Sequence, residues 1–350
     1  MSKAWDAIII GGGAAGLFCA GVAGQLGKKV LVLDHASILG EKIRISGGGR
    51  CNFTNLHSGP ANFLSLNPHF VKSALARYPA TEFIKLVHSY RIAYHEKHQG
   101  QLFCDDSAIQ IVEMLMAECA RGNVTIRHPV TVKSIVQEAN GWLVQTSAGM
   151  EQAQSLVMAT GGLPVPAIGA SAYSLDIAKQ FELGVVEPRP ALVPLSFTAD
   201  AFDYLQGLAG LSVSIGIESG LKGIRYGGCR FYEDVLITHK GLSGPAILQA
   251  SSYWIEGEPI RIDWLAKSDQ SGAIRCDDLF GDHDQRLKLT ETMLASLLPQ
   301  RLAKAFAEQC GLMGRKWAEV SKKDRQALKN LLTDWSVKPA GTLGWKKAEV

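Results

Sequence analysis

Ala7-Ile8-Ile9-Ile10-Gly11-Gly12-Gly13-Ala14-Ala15-Gly16, small residues onward to Leu26, then Lys29-Val30-Leu31-Val32-Leu33-Asp34: this stretch decides the fold. Ala7 to Ile10 is a short apolar run rich in β-branched residues and reads as a buried parallel strand. Gly11 to Gly16 satisfies G-x-G-x-x-G and opens a helix. Val30 to Leu33 is a second buried strand, closed by an acid. Gly11 permits the tight turn, Gly13 lets backbone approach a pyrophosphate, and Gly16 lets helix and strand pack closely. The helix start at Gly13, Ala14 and Ala15 offers unpaired N–H groups to phosphates. Asp34 stands where an acid accepts hydrogen bonds from a ribose. The spacing predicts a dinucleotide-binding unit in a Rossmann-like α/β fold. NAD and FAD both use such a unit.

The rest of the composition narrows the class. The 350 residues suggest two or three domains at roughly 100–200 residues each. With 47% hydrophobic and 20% charged residues, disordered and collagen-like chains are excluded. A net charge of +3 is too small to imply a polyanionic partner. The 7 cysteines form no C-x-x-C and read as reduced thiols of a cytoplasmic protein. Residues 7–27 carry no charge and could span a bilayer by length, but Asp6 at the mouth and the many glycines argue against a membrane segment.

A second glycine-rich stretch follows: Gly40-Glu41-Lys42-Ile43-Arg44-Ile45-Ser46-Gly47-Gly48-Gly49-Arg50-Cys51-Asn52-Phe53-Thr54-Asn55. Three glycines beside Lys42, Arg44 and Arg50 suggest backbone lying against an anionic ligand; the alternative is a surface loop. Cys51 either packs or acts as a thiolate, and with no cysteine near it in sequence a dithiol relay is excluded. Farther on, Leu156 to Thr160 reads as a buried strand that leads into Gly161-Gly162, whose backbone can approach the cofactor.

The 40–55 stretch resembles the signature of the BaiN/YhiN-type NAD(P)/FAD-dependent oxidoreductases, also called the aminoacetone oxidase family. Gly100 to Ala108, Ala159-Thr160-Gly161-Gly162 with Pro164 and Gly169, Pro190 to Leu195, Thr238 to Pro245 and Gly341 to Val350 resemble further family segments in order along the chain. The resemblance implies a two-dinucleotide-binding FAD fold with a large inserted β-barrel plus helical domain. It implies that Ala15 and Asp34 contact the FAD pyrophosphate and ribose. Lys42 and the loop Ser46, Gly47, Gly48, Gly49, Arg50, Cys51, Asn52 would lie along pyrophosphate and flavin. Val132 would meet the adenine through its backbone, and Thr160, Gly161 and Gly162 would form the second cofactor turn. Asp34 departs from the family's usual Glu. In relatives a further tail covers the flavin. The chain stops at Val350, where the exit motif is complete, so a truncated cofactor site with weak FAD binding is expected.

The expected organisation is an FAD-binding domain over 1–190 and an inserted domain over 191–345, with Pro188, Pro190 and Pro194 clustered at the boundary. Helices are predicted at 71–78, 81–90 and 107–121, the last with a stripe of Ile109, Val112, Met116 and Cys119. The insert reads as β over about 191–265, with strands at 211–217, 223–226, 235–238 and 260–264. It reads as helical over about 285–335, with helices at 285–309 and 322–335. Ser321 has the form of a helix start. Gly241-Leu242-Ser243-Gly244-Pro245 lacks the second glycine of a nucleophile elbow. Pro245 reads as N1 of a short helix. That helix's N-terminus, with Thr238 and His239, either faces flavin and substrate or simply packs. His95-Glu96-Lys97-His98 is not H-E-x-x-H, and no metal is expected.

The functional expectation is an FAD-dependent oxidoreductase acting on a small organic substrate, with NAD(P)H as transient donor and no nucleic-acid partner. Cys51 and His239 are the catalytic candidates. Two alternatives stay open: an FAD-dependent RNA-modifying enzyme, and a non-catalytic flavin-binding protein. The basic cluster Arg315, Lys316, Lys322, Lys323, Arg325, Lys329 is either an RNA contact or a solvated helix face.

Overall fold

The apolar runs that open the chain are buried as a parallel pair. Strand β1 (Trp5–Ile10) lies beside β2 (Val30–Leu33), with Ile8 opposite Leu31 and Ile9 opposite Val32. All four side chains are fully buried, and each contributes about 1.5–3 kcal/mol of hydrophobic stabilisation. The computed structural model describes residues 5–220, 228–267 and 272–349. The chain divides between Glu187 and Pro188 into two compact units.

In the first unit, helix α1 (Ala14–Gln25) joins β1 to β2, followed by α2 (Glu41–Ile45), β3 (Asn52–Asn55), α3 (Lys72–Arg77) and α4 (Ala80–Ser89). Then come β4 (Tyr94–Glu96), β5 (Gln101–Cys104), α5 (Ile109–Arg121), β6 (Thr125–Arg127), β7 (Val132–Glu138), β8 (Gly141–Thr146), β9 (Gly149–Met158) and α6 (Tyr173–Gln180). The main sheet runs β6-β2-β1-β9-β8-β7. Its first four strands are parallel, and β8 and β7 continue it antiparallel. A small sheet, β3-β5-β4, is antiparallel.

Helix α1 is rich in glycine, which ordinarily weakens a helix. Here a Cβ on Gly21 would stand 3.2 Å from Glu118, and one on Gly24 would stand 2.5 Å from the Gly122 carbonyl. The missing side chains let α1 and α5 approach backbone to backbone. Helix α5 buries Ile111, Val112, Met114, Leu115 and Cys119. This face differs from the expected stripe, because Ile109 at its start is exposed. Pro79 separates α3 from α4, within a residue or two of the expected ends.

The second unit holds β10 (Leu195–Ser196), α7 (Ala199–Gln206), β11 (Ser212–Ser219), β12 (Cys229–Thr238), β13 (Gly241–Ser243), α8 (Pro245–Ser251) and β14 (Ile260–Asp263). Helices α9 (Gly272–Gly281), α10 (Thr290–Leu294), α11 (Gln300–Gln309) and α12 (Lys322–Thr333) follow, then β15 (Trp335–Val337) and β16 (Gly341–Thr342). The β part expected as a barrel is, among the described residues, a seven-strand sheet in the order β15-β14-β11-β12-β13-β10-β16. The strand expected at 223–226 lies outside the described residues. The helix expected at 285–309 is two helices, because Pro299 lacks the N–H that would continue one. Ser321 caps α12 by accepting from the Asp324 N–H at 3.1 Å. Trp335, expected in that helix, starts β15 and packs on Trp264 with ring centroids 5.4 Å apart.

Candidate dinucleotide site

Parallel strands β1, β2 and β9 end at one edge of the sheet, and a cavity of about 800 Å³ opens there. Ile10, Leu33 and Met158, the last residues of the three strands, all line it. This edge is where open α/β sheets bind ligands. Gly11, Gly13, Ala14 and Ala15 form one wall, and Asp34, Lys42, Val132, Thr160 and Gly161 others.

The three motif glycines have three different reasons. Gly11 has φ +111°, and a Cβ there would lie 2.3 Å from the Ala159 carbonyl oxygen. A Cβ on Gly16 would lie 1.8 Å from the Gly11 carbonyl oxygen, so Gly16 sets helix-to-strand packing and is not part of the cavity wall. A Cβ on Gly13 would have nothing within 4 Å, which leaves the backbone there open to a ligand. Gly13 is the N-cap of α1, with no side-chain cap and no acid in the first turn. The first N–H groups of that helix therefore point into the cavity without a side-chain partner.

Asp34 accepts from the Gly12 N–H at 2.5 Å through Oδ2 and from the Ala36 N–H at 2.7 Å through Oδ1. The Asp side chain, one methylene shorter than Glu, still reaches the glycine turn. A carboxylate has about four lone-pair sites, so acceptor capacity remains for ribose hydroxyls. Partial desolvation lowers the Lys42 pKa, and an anion in the cavity would offset that. Thr160 Oγ1 and Ser174 Oγ stand 2.5 Å apart, and Ser174 also donates to the Gly161 carbonyl at 3.1 Å. These bonds tie the turn after β9 to α6.

Sequence reasoning missed His35, Ser171, Tyr173 and Ser174 as cavity residues. The available signal was the polar start of α6 just after Gly169. The Tyr173 hydroxyl is buried with no hydrogen-bond partner, unusual for a buried polar group. An elongated ligand with acceptors at several points fits this wall: open glycine backbone, uncapped helix, ribose acid and an orphan hydroxyl.

The second glycine stretch is arranged differently. Ser46, Gly47, Gly48, Gly49, Arg50, Cys51, Asn52 and Gly162 do not line the cavity. Gly47, Gly48 and Gly49 have φ of 57°, 68° and 85°, and Cys51 has 51°. The turn is held from within: Cys51 N–H donates to the Ser46 carbonyl at 3.0 Å and Ala108 N–H to that of Gly49 at 2.8 Å. Arg50 donates to the Asp105 carbonyl, and Arg44 to that of Leu39 at 2.9 Å. Of the three cations expected near a ligand, Lys42 alone lines the cavity.

Cys51 is buried, and burial raises its pKa, partly offset by the Ser46 hydroxyl. The pairing of Asn52 with Phe103 in the β3–β5 ladder places Cys104 beside it. Burial pushes the Cys104 thiol up to about 11, with Cys51 a further cause. The sequence reading that gave Cys51 no cysteine neighbour is thus corrected: the ladder joins residues too far apart in sequence to show it.

His239 belongs to the second unit, exposed on the turn between β12 and β13. Pro245 is at N1 of α8, after Gly244 with φ +89°. The basic cluster is partly internal scaffold. The Arg325 guanidinium lies 4.5 Å from the Trp317 ring centroid and donates to the Trp317 and Val320 carbonyls. Lys329 pairs with Asp277 at 2.5 Å, and Arg315 donates to the Glu319 carbonyl at 2.8 Å. Among the described residues no helix is long and apolar enough to cross a membrane, and no group of three or more His, Cys, Asp or Glu could hold a metal ion.

Comparison with known proteins changes the functional expectation. The chain is 45% identical over 346 residues to the ribosomal RNA dihydrouridine synthase of Escherichia coli, covering 99% of this chain and 84% of that protein. It is 41% identical to the Haemophilus influenzae protein of the same name, covering 100% and 86%. It is 24% identical to a 3-dehydro-bile acid delta(4,6)-reductase of Clostridium scindens, covering 75% and 65%. The two nearly full-length relatives are named for RNA modification. That overturns two expectations: a small organic substrate, and the absence of a nucleic-acid partner. A net charge near zero averages over the whole surface and says little about local patches, which is why composition misled. The family described as HI0933-like protein Rossmann domain matches residues 5–342, and the chain belongs to that family.

Proposed function

We propose that this chain is an FAD-dependent reductase that converts uridine to dihydrouridine in ribosomal RNA. The observation that carries the reading is its 45% identity, over 99% of its length, to a ribosomal RNA dihydrouridine synthase. The cavity supports it, because its uncapped helix, open Gly13 and Asp34 suit a dinucleotide with two phosphates and a ribose. When bound, FAD supplies the two-electron chemistry that saturating the uracil C5=C6 bond requires, as one hydride and one proton.

The chain's own residues bind and orient. The N–H groups of Ala14 and Ala15 would hold the pyrophosphate and Asp34 the ribose, while Lys42 adds a positive charge on the cavity wall. Val132 backbone and the Tyr173 hydroxyl are the remaining polar contacts proposed for the cofactor. NADH or NADPH is the proposed electron donor.

The test uses holoprotein, unmodified ribosomal RNA transcripts and each nicotinamide donor under anaerobic conditions. The expected result is a nucleoside heavier by two hydrogens, formed in step with donor oxidation. Flavin that is reduced by a donor but leaves every uridine unchanged would overturn the reading.

A further inference from the structure

We propose that the segment from Leu56 to Tyr78 is a docking surface for single-stranded RNA. The proposal rests on the RNA-reductase reading and names the part of the molecule that grips the substrate.

The first observation is charge. The chain has 33 acidic residues, yet none stands between Lys42 and Thr81. That stretch carries Lys42, Arg44, Arg50, Lys72 and Arg77, with His57 and His69. Arg44 and Arg50 are bonded to the Leu39 and Asp105 carbonyls, so Lys72 and Arg77 are the cations of the segment itself, with no acid inside it to oppose them. A polyanion would meet a stretch that has cations and no carboxylate to repel it.

The second observation is exposure. Among the described residues, none from Leu56 to Tyr78 is buried. The segment nevertheless presents Leu56, Phe63, Leu66 and Phe70, with Phe70 77% exposed and Leu66 62%. Single exposed apolar residues are ordinary, but several in one short segment mark an interaction site.

The third is how the segment keeps its shape. Asn62 Oδ1 accepts from the Gly59 N–H at 2.8 Å, Asn67 N–H donates to Ser65 Oγ at 3.1 Å, and His69 N–H donates to Asn67 Oδ1 at 3.1 Å. Short polar side chains fold the backbone locally. Tyr78 packs edge-on against Phe18 with ring centroids 4.9 Å apart, whereas the Phe63 and Phe70 rings are exposed.

Exposed rings interleaved with cations match what unpaired RNA offers: base faces that stack on Phe, and phosphates that meet Lys and Arg. A paired and stacked uridine hides the face of its C5=C6 bond, so a reductant needs the base out of the helix. The location also suits the chemistry. Lys42 lines the cavity, and α2, the glycine turn and β3 lead from it directly to Leu56.

The experiment is fluorescence anisotropy of a labelled, uridine-containing single-stranded RNA on the holoprotein, with the matching duplex as competitor. The Phe63→Ala/Phe70→Ala double variant is expected to bind about tenfold or more weakly, given the usual worth of base–aromatic stacking. Lys72→Ala is expected to reduce the salt dependence by about one phosphate contact. Leu183→Ala, which removes an exposed apolar side chain elsewhere in the first unit, is expected to leave affinity unchanged. Flavin content and thermal melting check that each variant is folded. If the double variant binds RNA as the wild type does while the wild type still forms dihydrouridine, this inference falls and the functional reading stands. If the double variant instead loses only a concentration-dependent dimer, the patch belongs to a second copy of the chain. If the wild type neither binds nor reduces RNA, both fall.

Discussion

The protein has two glycine-rich turns, at 11–16 and 46–51, and they use glycine for opposite reasons. In the first, glycine answers to neighbours. Gly11 and Gly16 leave room for carbonyl oxygens that a methyl group would meet at 2.3 and 1.8 Å, and Gly13 leaves room for a ligand. In the second, glycine answers mainly to backbone direction. Gly47, Gly48 and Gly49 are all left-handed, and Gly48 has nothing within 4 Å of a Cβ. The first turn lines the cavity and the second does not. Glycines spaced between a strand and a helix encode distances, whereas a run of glycines encodes a conformation.

Alanine substitutions test that contrast most directly. Gly16→Ala places a methyl group inside the Gly11 carbonyl, and the helix cannot give way without leaving the sheet. A loss of about 4 kcal/mol or more is expected in urea unfolding, at the diagnostic end of single-residue effects. Gly13→Ala is the reverse case. Its φ of −87° suits alanine, so stability changes by less than about 1 kcal/mol. FAD affinity, read by flavin fluorescence, falls by about tenfold or more because the methyl group stands where backbone meets pyrophosphate. A Gly13→Ala protein that holds FAD as tightly as the wild type would remove the phosphates from this wall. Gly48→Ala bears only the left-handed strain, about 1–2 kcal/mol, with FAD affinity unchanged. A drop in affinity there would bring the second turn into the cofactor site and erase the contrast.

The same contrast explains what was legible in the sequence. Strand, turn, helix and acid at 7–34 could be placed because each is local and its spacing has one geometric use. The β part and helices of the second unit were visible from periodicity, but the break at Pro299 and the strand at Trp335 depend on what the chain packs against. The wall made by Ser171, Tyr173 and Ser174 left only a polar helix start after Gly169 as its signal, since no spacing rule links that start to Gly11. The cationic loop was read as ligand-facing because the sequence could not show Arg44 and Arg50 bonded to nearby carbonyls. The proposed RNA partner was invisible to net charge for the same kind of reason: a sum over the chain hides where the cations stand.

The smallest expected effect concerns the thiols behind the second turn. Burial raises the pKa of both Cys51 and Cys104, that of Cys104 to about 11 from an ordinary value of 9.0. A raised pKa means that the folded state favours the neutral thiol. The associated stability is fully present below about pH 9 and is lost as pH rises through about 11. Urea midpoints of the wild type should therefore fall over that alkaline window. In Cys104→Ala the starting midpoint is lower because a buried side chain is lost, and the alkaline fall is shallower. Iodoacetamide should label Cys51 at neutral pH slower than free cysteine by about tenfold or more, since the thiolate is the nucleophile. Added FAD should not change that rate, because Cys51 is not on the cavity wall. Rapid neutral-pH labelling that FAD suppresses would make Cys51 a cofactor-facing thiolate, and the second turn would then answer to a ligand as the first one does.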